Sequence, residues 1–409
     1  MLDLLITYIN FLILSLGYIV KRLTFFPPKP PHYISVKTDK EDEDAILFLI
    51  KDKEKKKHYV EIKFKLIEYR FIKMINKFNE ELPLLLFIPP NYINVCIIYS
   101  HGNSGDLGAC ILEFFDIAIN TNCLVLSFEY PGFGDCMNQP LKESIFYRNM
   151  RIAYYFVRKI LSLKPEQIIL YGFSMGTGIM FDFACRKEYP SAGMILQSPF
   201  LSIVRTLYDI NRTTYFDLFN NVDKAKFLKT KTFFIHGNKD TVVPYIHGRI
   251  LAKLIPSKYF YDFLTVPNAN HNNLFKEKKD FIFKKIREFI KNCTGYYIDF
   301  SKLIIDDSST STIDNNDKNN LSDSYNKINE EIEETLNKTK ALYNQDKKMN
   351  SPTNNQNKIN CYIPRNLKQN FKNNNFQNYS SQNLNNLNNN FENGLINVNN
   401  INTNNKNMN

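Results

Sequence analysis

The five residues GFSMG at positions 172–176 restrict the fold of this chain more than any other stretch. They follow the apolar run 167–171, which predicts a buried strand, and they precede residues 177–184, which predict a helix. G-x-S-x-G between a strand and a helix is the pattern of a nucleophile elbow, a tight turn that presents a serine hydroxyl above a sheet. A Cβ atom at Gly172 or Gly176 would collide with the neighbouring strand or helix, which explains both glycines. The alternative is a glycine-rich turn whose serine only caps the next helix.

Short apolar runs and helical patterns alternate on both sides of this turn. Alternation of this kind predicts an α/β fold, in which helices cover both faces of a mostly parallel sheet. The predicted strands are residues 95–99, 124–128, 167–171, 194–197, 232–235 and 261–266. The predicted helices are residues 111–119, 141–161, 179–188, 245–254 and 275–290, and residues 201–227 predict a small helical cap. An antiparallel start is predicted at residues 33–37 and 59–66, separated by a charged turn region that ends at residues 51–57.

The N-terminal residues 1–22 are predicted to form a hydrophobic membrane anchor. Residues 4–20 are almost continuously apolar, and Lys21 and Arg22 follow them. At about 1.5 Å per residue, a helix of this length barely spans a hydrocarbon core of about 30 Å. The positive flank on the C-terminal side predicts that the rest of the chain faces the cytosol. No small-residue cleavage site follows the segment, so a cleaved signal peptide is not expected. The alternative is a hydrophobic helix that packs on the domain. The proline-rich residues 27–31 are predicted to act as a stiff spacer.

Composition separates the remaining chain into a globular domain at residues 23–293 and a tail at residues 294–409. The tail is rich in asparagine, serine and lysine, and its isolated apolar residues predict disorder.

The formal net charge of +11 favours attraction to an anionic membrane surface. Nucleic acid is the weaker alternative, because no recognition motif accompanies the charge. Seven cysteines without a C-x-x-C pair predict free thiols in a reducing compartment, and no zinc site.

Two residues after Ser174 are candidate partners for a serine nucleophile, which needs a histidine base and a carboxylate that orients the base. Asp240 follows the predicted strand 232–235, and His271 follows the predicted strand 261–266. Both therefore lie at the carboxyl edge of the sheet, where open α/β sheets carry their sites. The order Ser174, Asp240, His271 is the expected one. His236 is interpreted as a structural histidine that holds the loop before Asp240.

An oxyanion hole is predicted from two backbone amides. The first belongs to Met175, the residue after the serine, and the second to Asn103 in the loop after the third strand. His101 in the same loop is interpreted as a structural anchor. This chemistry requires no metal and no cofactor.

Several of these segments together resemble one family. They are HGN at 101–103, YPGFG at 130–134, YGFSMGT at 171–177, SPF at 198–200, HGNKD at 236–240 and HN at 271–272. The resemblance is to serine hydrolases of the α/β-hydrolase domain-containing protein 17 family, and it covers about residues 24–292. It implies an α/β-hydrolase fold and the removal of palmitate from cytoplasmic cysteines of membrane-associated proteins. The family's N-terminal cysteine cluster is missing, since the first cysteine is Cys96.

The function expected from the sequence is therefore a membrane-associated serine hydrolase that acts on acyl thioesters or esters, with its catalytic domain facing the cytosol. The expected partners are S-acylated membrane proteins or lipid esters, and no nucleic acid. A lipid esterase, such as a monoacylglycerol lipase, is the alternative enzyme. A non-catalytic membrane scaffold that retains the hydrolase fold is the alternative of another class.

Overall fold

The computed structural model describes residues 24–37, 44–51, 57–64, 67–76, 80–90, 92–207, 213, 217–276 and 278–296. The predicted anchor at residues 1–22 and almost all of the predicted tail at residues 294–409 lie outside the described residues. Within the described ranges, none of the helices is long and apolar enough to cross a membrane.

Eight strands form the central sheet, and three further strands form a small antiparallel sheet. The small sheet contains β1 (Tyr33–Lys37), β2 (Asp44–Lys51) and β3 (Lys57–Val60). The central sheet contains β4 (Glu68–Ile75), β5 (Glu81–Ile88), β6 (Ile93–Ser100), β7 (Cys123–Phe128), β8 (Ile168–Phe173), β9 (Gly193–Gln197), β10 (Thr232–Gly237) and β11 (Phe260–Val266). Its order is β4-β5-β7-β6-β8-β9-β10-β11. β5 is antiparallel to both of its neighbours, and the other pairs are parallel.

Seven α-helices occur among the described residues. They are α1 (Ile111–Thr121), α2 (Glu143–Tyr155), α3 (Met175–Ala184), α4 (Ile203–Leu207), α5 (Asn221–Lys224), α6 (Tyr245–Leu254) and α7 (Lys279–Thr294). A π-helical turn, Phe156–Ile160, extends α2, and a short 3-10 helix, Ala225–Phe227, follows α5. The short helices α4 and α5 lie in the segment predicted as a helical cap.

Two hydrophobic cores lie on the two faces of the central sheet. Along β6, Cys96 and Ile98 belong to the core that includes α2, α3 and α6, whereas Ile97 and Tyr99 belong to the core that includes α1 and α7. This alternation follows from the two-residue period of a strand. The α/β-hydrolase fold predicted from the sequence is confirmed: parallel strands, each covered by a helix, end at one common edge. The six cysteines in the described ranges are free thiols.

The prediction of the N-terminal strands was partly wrong. The predicted strand 59–66 is shorter and earlier, at Lys57–Val60, and three strands were missed: β2, β4 and β5. β2 lies in the region interpreted as a charged turn, because lysine and aspartate residues flank its apolar centre. β5 is a continuous buried run that contains Pro83, a residue that argues against a central strand.

Candidate active site

The turn at Ser174 has the backbone strain expected of a nucleophile elbow. Ser174 has φ 51° and ψ −118°, a conformation that costs a non-glycine residue on the order of 1–3 kcal/mol. Added Cβ atoms would lie 2.7 Å from the carbonyl oxygen of Gly176 if built at Gly172, and 2.0 Å from that of Ser100 if built at Gly176. Both glycines are therefore required by close backbone contact. The alternative of an ordinary capping serine does not fit, because the Ser174 side chain makes no capping hydrogen bond to α3.

The structure brings Ser174, His271 and Asp240 into one chain of hydrogen bonds. The Nε2 atom of His271 lies 2.9 Å from Oγ of Ser174, and its Nδ1 atom lies 2.7 Å from Oδ2 of Asp240. These residues follow β8, β11 and β10, whose carboxyl ends meet at one edge of the sheet. His271 and Asp240 are buried, whereas Ser174 is partly exposed. Ser174 is therefore the member of the three that solvent reaches, whereas the imidazole and the carboxylate are shielded from water.

Asp240 is held ionised by several donors. Burial alone raises the pKa of Asp240, but hydrogen bonds from His236, His271 and the Val243 amide, together with the charge of His271, lower it by more. The net pKa lies well below the usual range of an aspartate. The Oδ1 atom accepts the amides of Val242 at 3.0 Å and Val243 at 2.8 Å, whereas Oδ2 lies nearest to the ring of His271.

His236 lies behind this carboxylate, as predicted for a structural residue. Its ring is fully buried, and Nε2 lies 3.0 Å from the carbonyl oxygen of Val243 and 3.4 Å from Oδ2 of Asp240. An added Cβ at Gly248 would lie 2.5 Å from its Nδ1 atom, so α6 packs directly on the ring. His236 thus holds the loop between β10 and α6.

The two backbone amides predicted for an oxyanion hole belong to segments that lie close to Ser174. Met175 is the first residue of α3, and Asn103 lies in the loop that follows β6. An added Cβ at Gly102 would lie 3.9 Å from Cβ of Ser174, which shows how closely this loop passes the serine. Over the described ranges, neither the Met175 nor the Asn103 amide donates to a protein acceptor. Both amides are therefore available to a negatively charged oxygen.

The loop after β6 is fixed from inside by Tyr130. The Tyr130 hydroxyl donates to the carbonyl oxygen of His101 at 2.6 Å and lies 2.6 Å from Oγ of Ser100. The buried ring of His101 stacks on Tyr130 with centroids 3.8 Å apart, and its Nε2 atom lies 3.4 Å from Oε1 of Glu129. His101 thus occupies the position of a structural anchor.

A strap at residues 24–32 fixes the same loop from outside, and sequence reasoning missed it. The Asn103 side chain donates to the carbonyl oxygen of Thr24 and accepts the amide of Phe26 at 3.2 Å. Between these two bonds, the ring of Phe25 is buried and stacks on Phe146 with centroids 5.0 Å apart. The prediction treated residues 27–31 as a spacer. The available signal was the pair of aromatic residues directly before the prolines.

Asn103→Ala is expected to lower kcat roughly 10- to 100-fold with a smaller change in KM, since small displacements of a positioning group can cost about 100-fold. The substitution removes both bonds to the strap and frees the loop that carries the Asn103 amide. Asn238→Ala is the matched control, because Asn238 also clamps a loop at this edge, through the Asn268 amide at 2.7 Å. Steady-state kinetics on a soluble ester measure the effect. An unchanged kcat in Asn103→Ala would show that Tyr130 alone fixes the loop.

Comparisons with known proteins find similar alpha/beta hydrolase domain-containing proteins. No protein-family model matches the chain. The Caenorhabditis elegans alpha/beta hydrolase domain-containing protein aho-3 is 28% identical over 273 residues, which are 66% of this chain and 77% of the relative. Human alpha/beta hydrolase domain-containing protein 17B is 29% identical over 259 residues, 63% of this chain and 86% of the relative. Protein 17C of Xenopus tropicalis is 33% identical over 179 residues, 44% of this chain and 56% of the relative.

Among solved structures, the esterase Pf2001 of Pyrococcus furiosus has a TM-score of 0.46 and 16% identity, covering 56% of this chain and 92% of the esterase. The resemblance to the α/β-hydrolase domain-containing protein 17 family, inferred from the motifs, is confirmed by the curated relatives. They support a hydrolase.

Proposed function

We propose that this α/β-hydrolase is a serine hydrolase that cleaves acyl thioesters and esters through an acyl-enzyme on Ser174. The observation that carries the proposal is the chain of hydrogen bonds from Ser174 through His271 to Asp240, next to two free amides. A serine hydroxyl becomes a useful nucleophile only when a positioned base accepts its proton.

The reaction follows from these positions. Oγ of Ser174 attacks the acyl carbonyl carbon while Nε2 of His271 takes the hydroxyl proton, and the carbonyl oxygen becomes an oxyanion. The amides of Met175 and Asn103 stabilise that oxyanion. His271 then gives its proton to the departing thiolate or alkoxide, and the acyl group stays on Ser174. A water molecule then gives a proton to His271 and attacks the acyl carbon, the bond from that carbon to Oγ breaks, and His271 returns the proton to Oγ, which releases the fatty acid and restores the serine. Asp240 keeps His271 in the required tautomer throughout.

The surroundings of Ser174 suit an acyl group. The ring of Phe173 lies 5.1 Å from the ring of His271, and Phe26 stands exposed beside Asn103. The resemblance to the protein 17 family points to S-acylated membrane-associated proteins as the substrate class. In this proposal, residues 1–22 anchor the chain at a membrane, with the catalytic domain on the cytosolic side.

A direct substrate comparison tests this function. We expect higher kcat/KM on an S-palmitoylated peptide in vesicles than on a monoacylglycerol in the same vesicles. Release of free thiol and of fatty acid measures the two reactions, and the Ser174→Ala variant gives the background. A preference for the glycerolipid would favour the alternative, a lipid esterase.

A further inference from the structure

The solvent-facing side of α6 is unusual for a surface helix, because it is largely aliphatic. Ile246, Ile250 and Leu254 are 57%, 36% and 43% exposed. They recur every four residues and so share one side of the helix. The opposite side packs on the sheet through His247, Gly248 and Leu251, which are buried. An exposed helix side is ordinarily polar, so this apolar side indicates a surface that interacts with a partner.

Basic residues lie among these aliphatic side chains. Arg249 and Lys253 are exposed and fall on the same side of α6 as Ile246 and Ile250. The chain segment that includes α6, residues 224–260, contains eight basic residues, of which the first is paired with Asp182 and the fourth with Asn292: Lys224, Lys226, Lys229, Lys231, Lys239, Arg249, Lys253 and Lys258. Its single acidic residue is Asp240, which is buried in the site. The whole chain is far more balanced, with 52 basic and 41 acidic residues.

Two neighbouring residues extend the exposed apolar area. Val242, in the turn that leads into α6, is 55% exposed, and Phe227 in the adjacent short helix Ala225–Phe227 is also 55% exposed. This short helix contacts α6, and Nζ of Lys226 lies 5.0 Å from the centre of the Phe227 ring. The mixture of apolar and basic side chains therefore continues beyond α6.

We propose that this side of α6, which we call the α6 face (Val242, Ile246, Arg249, Ile250, Lys253 and Leu254), docks on an anionic phospholipid leaflet. Aliphatic side chains combined with lysine and arginine are typical of helices that lie in a membrane interface. Protein–protein interfaces, in contrast, are depleted of lysine and enriched in aromatic residues. Each basic residue near an anionic leaflet adds to the attraction, and the charge of this segment complements that of such a leaflet.

Docking by the α6 face would hold the site near membrane-bound acyl groups, and this role rests on the proposed function. The Val242 amide is bonded to Oδ1 of Asp240, so the face begins at the edge of the sheet that carries Ser174. A leaflet against the α6 face would therefore lie next to the site. An acyl group would then have only a short path from the bilayer to Ser174, whether or not residues 1–22 act as a membrane anchor.

The chain contains no tryptophan, which allows a sharp test with the full-length protein. Ile250→Trp places a single fluorophore on the α6 face. Phe281→Trp is the matched control, because Phe281 is 49% exposed on α7, which covers the other face of the sheet. Each protein is mixed with phosphatidylcholine vesicles, with or without phosphatidylserine, whose acyl chains carry bromine as a quencher.

We expect the Ile250→Trp emission to shift to the blue and to be quenched severalfold more than that of Phe281→Trp, and only with phosphatidylserine present. Arg249→Glu with Lys253→Glu in the Ile250→Trp protein should weaken this vesicle signal by at least about tenfold, since each basic residue contributes about 1 kcal/mol at an anionic surface. Lys276→Glu with Lys284→Glu, exposed residues outside the face, should leave it unchanged.

Three results would overturn the proposal. They are equal quenching at positions 250 and 281, no quenching at 250 when the protein sediments with vesicles, and a blue shift at 250 that depends on protein concentration without vesicles. The last result would assign the face to a second copy of the chain. Hydrolysis of a soluble ester is measured in parallel and should be the same in all these variants. Loss of that activity in the unsubstituted protein would contradict the proposed function but would leave the tryptophan result intact.

Discussion

Ser174→Ala is expected to abolish labelling by a fluorophosphonate probe and to lower kcat on a soluble ester about 1,000-fold or more, because loss of a triad nucleophile removes the covalent route. The protein should stay folded. The strain at φ 51° is a property of the turn, and alanine has the same Cβ constraint as serine. Circular dichroism and thermal unfolding check the fold, and single-turnover kinetics check the acyl-enzyme.

Ser198→Ala is the matched control for this substitution. Ser198 also follows a central strand, β9, and also has a positive φ of 50°, but it is fully buried and its amide bonds to the carbonyl oxygen of Ile235. We expect Ser198→Ala to keep probe labelling and most of the activity. Persistent labelling of Ser174→Ala would show that another residue is the nucleophile. A normally folded wild type that is neither labelled nor active would favour the non-catalytic scaffold.

The positions of Ser174, Asp240 and His271 could be predicted because each depends on a strongly patterned strand. β8, β10 and β11 are apolar runs followed by turn residues, and the carboxyl ends of parallel strands meet at one edge. The order of the residues along the chain then left little choice of partner. The same reasoning predicted the position of the Met175 amide. Met175 directly follows the serine and is the first residue of α3, so its position depends only on the elbow.

The support of the site was harder to predict, because it depends on contacts between distant residues. Phe25 packs on Phe146, which is more than one hundred residues away, and no local pattern records that contact. The side chain of Asn103 is equally ambiguous in sequence, since asparagine in a turn ordinarily bonds to its own backbone. The strap and its clamp therefore became visible only in three dimensions. The strands β2 and β4 were missed because charged residues next to them resemble turns.

His271→Ala is expected to lower kcat about as much as Ser174→Ala, by about 1,000-fold or more, because the two residues act as a unit. For the same reason, the double variant Ser174→Ala with His271→Ala should lose little beyond either single change. His236→Ala serves as the control, since both histidines lie near Oδ2 of Asp240 but only His271 contacts Ser174.

His236→Ala should instead lower the free energy of unfolding by about 2 kcal/mol or more, since it empties a fully buried site against α6. Its kcat at low temperature should stay within about tenfold of the wild type, far from the loss caused by removing the base, because the Val242 and Val243 amides still hold Asp240. Thermal unfolding and kinetics measured on the same preparations separate the two effects. If His236→Ala lost activity while remaining as stable as the wild type, and His271→Ala did the reverse, the base would be His236. The direct contact of His271 with the serine hydroxyl, at 2.9 Å, is the reason to expect otherwise.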